Sequence, residues 1–425
     1  MERQAIIYSI FVRTFSKEGT FKAVIPQLDR IKALGVDIIW LMPIHPIGQE
    51  NRKGIDGSPY ANKDFRTINP EYGTMDDFIE LCQAIHDRGM KVMIDVVYNH
   101  TSPDATLVRE HPEWYYYTPE GKRGNRVGDW YDIVDLDYGH KGLWDYQIAS
   151  LCHWAQYVDG FRCDVAPLVP IGFWQEARQA VAAIKPDFIW LSESVEASFI
   201  KHLRQSGAVA HSDCEMYQAF DVLYDYDVHP HMLHYLRGQG DLATYIDRVN
   251  LQEIIYPKDY IKLRHLENHD NQRIADLIQD EQVRKHWTAF LYLQKGWVLL
   301  YNGQEHQDPI QQSLFDKEEV NWDPTRDISP YLRQLADIKK NYIPTDPSAR
   351  YDLKLDPESG ICVIEHESKD ALFVAVCGLG HQQSGTVAID LPDGSYRDLL
   401  NEDQVIVSNG QITMQGQPLA IRVDK

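Results

Sequence analysis

The sequence predicts a TIM (β/α)8 barrel with a short loop subdomain after its third strand, followed by a C-terminal antiparallel β domain. Three observations predict it. Short apolar runs alternate with stretches of helical periodicity through most of the chain, as repeated βα units of a parallel sheet require. One connection, after Asn99-His100, is long and irregular. From about residue 346 the pattern changes to short alternating segments separated by Gly, Asp, Asn and Ser. The chain's 425 residues suffice for one barrel plus an appendage. The expected domains are a barrel over 1–345, including a loop subdomain at about 101–140, and a β-sandwich over 346–425. A doubly wound open sheet is the nearest alternative.

The apolar run IIYSIFVRTF opens the series. Phe21 to Leu34 sets Val24, Ile25, Leu28, Ile31 and Leu34 at helical spacing, stops at Gly35 and leads into VDIIWLMPI. Thr74 reads as an N-cap with Asp76 and Asp77 in the first turn. Phe78, Leu81, Cys82 and Ile85 form the apolar stripe, and Gly89 ends it before KVMIDVVYNH. Further strands are expected at DGFRCDVA, DFIWLSESV, around EMYQAF, at YIKLRHLENHD and at GWVLLYNGQE. These make eight candidates, the number a TIM barrel needs. The long connection, HPEWYYYTPEGKRGNRVGDWYDIVDLDYGH, is rich in aromatic, Gly and charged residues, and loops of such length in compact domains usually serve function. GICVIEHES, ALFVAVCGL, GTVAIDL, QVIVSN and PLAIRV supply the late β domain.

A formal net charge of −21 argues against nucleic-acid or anionic-membrane partners, which are held by Lys and Arg clusters. The 10 Trp and 24 Tyr suit the faces of sugars, although most will be packing. No run reaches transmembrane length. The six cysteines are scattered without CxxC spacing, which suits buried thiols in a reducing compartment. MERQAIIYSIFVRTF has no long apolar core or small-residue cleavage site, so a cytoplasmic location is expected.

Catalytic groups of a barrel collect at the carboxyl ends of its strands. Here the third candidate strand ends in Asp95 and Asn99-His100, the fourth in Arg162 and Asp164, the fifth in Glu193, and the seventh in Glu267-Asn268-His269-Asp270. Each has an ordinary structural explanation alone; four in succession are harder to dismiss. The stretch GFRCDVAPLVP sets an arginine and an aspartate two residues apart on a strand that reads as buried, where unpaired charge is costly. Three carboxylates with an arginine and two histidines fit glycoside chemistry, in which one carboxylate attacks the anomeric carbon and another handles the leaving group's proton. No GxGxxG or GxxxxGK[ST] accompanies the strands, which lowers dehydrogenase and kinase readings.

These segments resemble the ordered motifs of the α-amylase family, glycoside hydrolase family 13. DVVYNH is similar to its third-strand motif, GFRCDV to the fourth, LSES to the fifth and ENHD to the seventh. GSPYANKDFRTINPEYGT, VDLDYGH and YNGQE add support, and the likeness runs from residue 5 to about 340. The resemblance implies that Asp164 is the nucleophile, Glu193 the general acid/base, its pKa raised by burial and nearby carboxylates, and Asp270 the carboxylate that grips sugar hydroxyls. It further implies that Arg162 orients Asp164, that His100 and His269 hydrogen-bond the sugar, and that Tyr60 stacks under it.

Where many α-amylases carry a Lys-His pair after the fourth strand, this chain has Pro167-Leu168, neither of which can donate from its side chain. That favours short malto-oligosaccharides or an α-1,6 linkage over long starch chains. It also bears on calcium. No cofactor is required for the chemistry, but Asn99 matches the family's calcium-binding asparagine, and Asp129, Asp132, Asp135 and Asp137 offer hard oxygens, as a solvated loop also would. The expected partner is an α-glucan or malto-oligosaccharide, with no nucleic acid and no membrane. Three readings stand: a retaining α-glucan hydrolase, a transferase or isomerase of glucanotransferase or trehalose synthase type, and a non-enzymatic carbohydrate-binding protein.

Overall fold

A computed structural model describes residues 2–425. Eight strands form the barrel: β1 (Ile6–Ile10), β2 (Ile38–Leu41), β3 (Lys91–Val96), β4 (Gly160–Cys163), β5 (Ile189–Ser192), β6 (Val222–Tyr224), β7 (Lys262–Arg264) and β8 (Trp297–Tyr301). They close in sequence order, with β8 beside β1. Pairing is parallel, as Asp95↔Arg162 and Cys163↔Ser192 illustrate. Nearly every strand residue is buried, so the strands read as continuous apolar runs. Gly160 is where β4 meets its neighbours most closely: a Cβ there would come within 2.9 Å of Met93 Cε and 3.0 Å of Ile189 O.

The chain divides into two compact units, Ile7–Tyr224 with Gln311–Asn321, and Glu2–Ile6 with Asp225–Ile310 and Trp322–Lys425. In the first, Thr74 caps the helix Met75–His86 through a reciprocal capping box with Asp77, and Phe78, Leu81, Cys82 and Ile85 are its buried face, as expected. The expected helix from Phe21 is not continuous. Pro26 lacks an N–H, and Ile25–Gln27 tightens into a 3-10 turn between helices Phe21–Val24 and Leu28–Ala33. The sixth strand also differs from expectation. Around EMYQAF, Ser212 and Glu215 form a second capping box over the helix Asp213–Met216, and the strand begins only at Val222.

In the second unit, two four-stranded antiparallel sheets lie between residues 350 and 424, one containing Ile361–Glu367 and Ala371–Gly378, the other Ser384–Ala388 and Gln411–Gln415. Ile361, Val374, Val376 and Ile421 of one sheet share an apolar core with Val387, Val407, Ile412 and Met414 of the other. No helix among the described residues is long and apolar enough to cross a membrane.

Buried histidines set an acid limit on this fold. Burial pushes His45 down to about 4 and His366 to about 3, although each ring contacts a carbonyl, Thr67 O at 2.9 Å and Leu293 O at 2.8 Å. Between the unfolded value near ~6.5 and these depressed values, the unfolded chain binds more protons than the folded one. Stability is therefore complete above about pH 6.5 and falls below it, by roughly 1.4 kcal/mol per pH unit per histidine. Thermal unfolding should show Tm dropping between about pH 7 and about pH 5; an unchanged Tm would contradict neutral burial.

Candidate active site

Within the first unit the ends of β3, β4 and β5 converge on one guanidinium. Arg162 is completely buried, and its Nη1 donates to Asp95 Oδ1 at 3.0 Å and Oδ2 at 3.1 Å and to Asp164 Oδ1 at 3.0 Å. Its Nη2 meets Glu193 Oε1 at 2.5 Å. The rings of Trp40, Tyr60 and Tyr224 surround the cation at 5.1, 5.6 and 5.5 Å. Burial alone would make the guanidinium easier to deprotonate, but Asp95 and Glu193 hold its pKa well above the ordinary value. One cation thus organises three carboxylates, each too buried to stay charged without a partner.

Strand register explains the placement of two of them. Cys163 and Ser192 are paired across β4 and β5, so Asp164 and Glu193 are the next residues of adjacent parallel strands. The ladder continues beyond the strands, since Glu193 N donates to Cys163 O at 3.0 Å and Asp164 N to Val96 O at 3.0 Å. Parallel neighbours lie about 4.8 Å apart. Each carboxylate retains a small exposed fraction, 7% for both residues.

Val165 was not foreseen from sequence. It adopts φ 35°, ψ 41°, a left-handed conformation that a β-branched residue seldom takes. The turn aims its N–H at Glu193 Oε2, 2.8 Å away. Glu193 is thereby held by a guanidinium on one oxygen and a backbone amide on the other. A valine gives no outward sign of such a turn, so only its position directly after Asp164 could have drawn attention.

His100 joins the same cluster, its Nε2 lying 4.0 Å from Asp164 Oδ2. Burial pushes its pKa below the ordinary value, against the opposing pull of Asp135 and Asp132. Half-buried Tyr60 donates its hydroxyl to Asp95 Oδ2 at 3.1 Å. The long loop begins as a two-residue ribbon in which His100 pairs with Asp135 and Thr101 with Val134. It brings half-buried Trp130 to within 6.0 Å of the His100 ring. Asn99 donates its amide nitrogen towards Asp135 Oδ1 at 3.4 Å and His100 Nδ1 at 3.2 Å. Pro167 and Leu168 lie in a 3-10 turn, where Leu168 packs with Ile200, Leu203 and Ala210.

In the second unit the residues after β7 form a hydrogen-bonded turn. Asn268 Oδ1 accepts the backbone N–H groups of Asp270 at 2.9 Å and Asn271 at 3.0 Å, while its Nδ2 donates to Tyr226 OH at 2.8 Å. His269 is buried and its Nε2 lies 3.1 Å from Oδ2 of Asp270, whose side chain is 43% exposed. Glu267 has a structural role: it accepts from Arg273 Nη1 and from Ile274 N, each at 2.7 Å. Glu305 of YNGQE caps its own turn at Gly303, whose φ of 95° suits glycine.

Residues 9–348 match the model of the Alpha amylase catalytic domain, and residues 353–421 that of the Bacterial Alpha amylase C-terminal domain. The crystal structure of an α-amylase from Lactobacillus plantarum is 46% identical, with a TM-score of 0.95 over 99% of both chains. A maltogenic α-amylase, AmyB from Thermotoga neapolitana, is 32% identical with a TM-score of 0.87, again over 99% of both. The α-amylase MalA of Haloarcula japonica is 26% identical over 96% of this chain but only 61% of its own length. An α-1,4-glucan:maltose-1-phosphate maltosyltransferase of Mycobacterium tuberculosis is 32% identical over 48% of this chain and 31% of its own. The chain therefore spans less than two thirds of either of these last two relatives.

Proposed function

Because the chain belongs to the α-amylase family, acting on α-glucans, we propose that it is a retaining hydrolase of α-glucosidic bonds in short malto-oligosaccharides, with Asp164 as nucleophile and Glu193 as general acid/base. The observation that carries this reading is the placement of Asp164 and Glu193 at matching ends of adjacent strands on one guanidinium. A retaining mechanism needs the two carboxyl groups roughly 5 to 5.5 Å apart, a separation within reach of side chains on neighbouring strands spaced about 4.8 Å.

In the first step an Asp164 oxygen bonds to the anomeric carbon while the glycosidic C–O bond breaks and Glu193 gives its proton to the leaving oxygen. In the second, Glu193 takes a proton from water, the water oxygen attacks the same carbon, and Asp164 is released. Arg162 fixes the orientation of both carboxyl groups and balances the charge of Asp164. Asp270 is proposed as the third carboxylate, gripping hydroxyls of the distorted sugar with His269 and His100. Tyr60 and Trp130 are proposed as ring-stacking faces. No cofactor enters either step.

The absence of a donating side chain at Pro167-Leu168 supports a preference for short substrates, since that side of the cleft would grip extended aglycones weakly. Transfer to a sugar instead of water is the second reading, favoured by the likeness to the maltosyltransferases over less than half of this chain. Incubation with maltoheptaose, panose, isomaltose and nitrophenyl α-glucoside, with NMR of the first-formed product, separates these readings. The α-anomer should appear first; a β-anomer would contradict retention, longer products would show transfer, and inertness towards all four would remove the enzymatic reading.

Val165→Pro removes the amide that holds Glu193 and is incompatible with the local φ. Loss of a hydrogen bond to a charged group, worth about 1.5–3 kcal/mol, should lower kcat/KM by about 10- to 100-fold. Steady-state kinetics on maltoheptaose check this.

A further inference from the structure

The long loop is fastened to the end of β3 by Arg126 and Asp135. Asp135, almost completely buried, accepts the backbone N–H of Arg126 at 2.8 Å and Arg126 Nη1 at 3.4 Å. The same Nη1 reaches Leu136 O at 3.5 Å, and the guanidinium lies over the Tyr116 ring at 4.3 Å. The neighbouring aspartates are engaged as well: Asp132 pairs with Lys53 Nζ at 2.8 Å, and Asp137 accepts Gly139 N at 3.0 Å.

These residues do not fit a calcium ion. Calcium takes about six to eight oxygen ligands. Asn99 presents its amide nitrogen to Asp135, whose carboxylate already faces a full positive charge. The open cavity of about 240 Å³ bordered by Asn99, Arg126, Asp135 and Asp137 is otherwise lined largely by apolar residues, including Leu168 and Leu203. Among the described residues no group of three or more His, Cys, Asp or Glu could hold a metal.

We propose that the Arg126 guanidinium is the built-in cation of this junction, making the fold independent of calcium and positioning His100 in the active site. The link runs through Asn99. Its amide nitrogen faces Asp135 Oδ1 and His100 Nδ1, and an amide nitrogen can only donate. His100 Nδ1 is therefore the acceptor, and the ring proton sits on Nε2, the nitrogen that faces Asp164. Arg126 is a positioning residue that acts through Asp135 and Asn99. The catalytic half of the proposal rests on the glycosidase reading; the calcium half does not.

Two experiments test the halves separately. Thermal unfolding of the full chain in EDTA and in millimolar CaCl2 should give the same Tm; a Tm that falls in EDTA and returns with calcium would overturn calcium independence, whatever the activity. Arg126→Ala should lose several degrees in Tm and about 10- to 100-fold in kcat, the range for removing a supporting hydrogen-bond partner, with a smaller change in KM. Guanidinium at millimolar concentration should restore part of both. Arg126→Lys should retain more of both than Arg126→Gln, a comparison that stands if the alanine variant fails to fold. An alanine variant indistinguishable from the parent, a failure of guanidinium to rescue it, or Lys no better than Gln would refute the cation's role.

Discussion

Asp164→Asn is expected to abolish turnover of maltoheptaose while leaving the fold intact. The amide matches the carboxylate in size and can still accept from Arg162 through its oxygen, so the 3.0 Å contact survives. What is lost is the attacking lone pair with full negative charge. Removal of a covalent nucleophile from a catalytic set costs on the order of 10⁴- to 10⁶-fold in kcat. Tm should change by only a few degrees, because Asp95 still neutralises Arg162. Asp164→Gly makes the test sharper. It opens space in which azide can attack the anomeric carbon from the vacated side, and a β-glycosyl azide is the expected product. Unchanged activity in Asp164→Asn would require another nucleophile.

Arg162→Leu should be the most damaging single change to stability. It leaves Asp95, Asp164 and Glu193 facing one another in a pocket where the guanidinium is wholly buried. Removing one partner from a buried ion pair costs about 3–5 kcal/mol, because the remaining charge is stranded. Denaturant unfolding should show a loss of that size or greater. Activity should fall with it, since both reacting carboxylates lose their anchor. Adding Asp95→Asn should recover part of the stability but little activity, as Asp95 balances charge without being assigned to the reaction. Arg162→Lys should fall between, because one ammonium cannot serve three carboxylates or spread between Trp40, Tyr60 and Tyr224 as a planar fork does.

The barrel was legible because its strands are buried on both faces and its helices carry clear starts and stops, such as the Thr74 capping box and Gly89. The sixth strand was misplaced because it is only three residues long and follows a segment whose Ser212-Glu215 box favours helix. Asp164, Arg162 and Glu193 stood out because charge on an apolar strand end is conspicuous. Their mutual arrangement followed from a register that no local pattern encodes. Glu267 shows the converse error of reading every polar residue at a strand end as catalytic, since its carboxylate is consumed by Arg273 and Ile274. Val165 and Arg126 were invisible for a common reason. One acts through its backbone and the other through a loop partner nine residues away, and side-chain type announces neither role.

The central claim is that Asp164 forms a covalent bond to the sugar. Its most direct test is mass spectrometry of the intact protein after reaction with a 5-fluoro-α-glucosyl fluoride, followed by peptide mapping. A mass increase of one fluorinated glucosyl group, mapped to Asp164 and absent from Asp164→Asn, is the predicted result. Labelling of a different residue, or steady hydrolysis of the reagent with no adduct at any time, would contradict it.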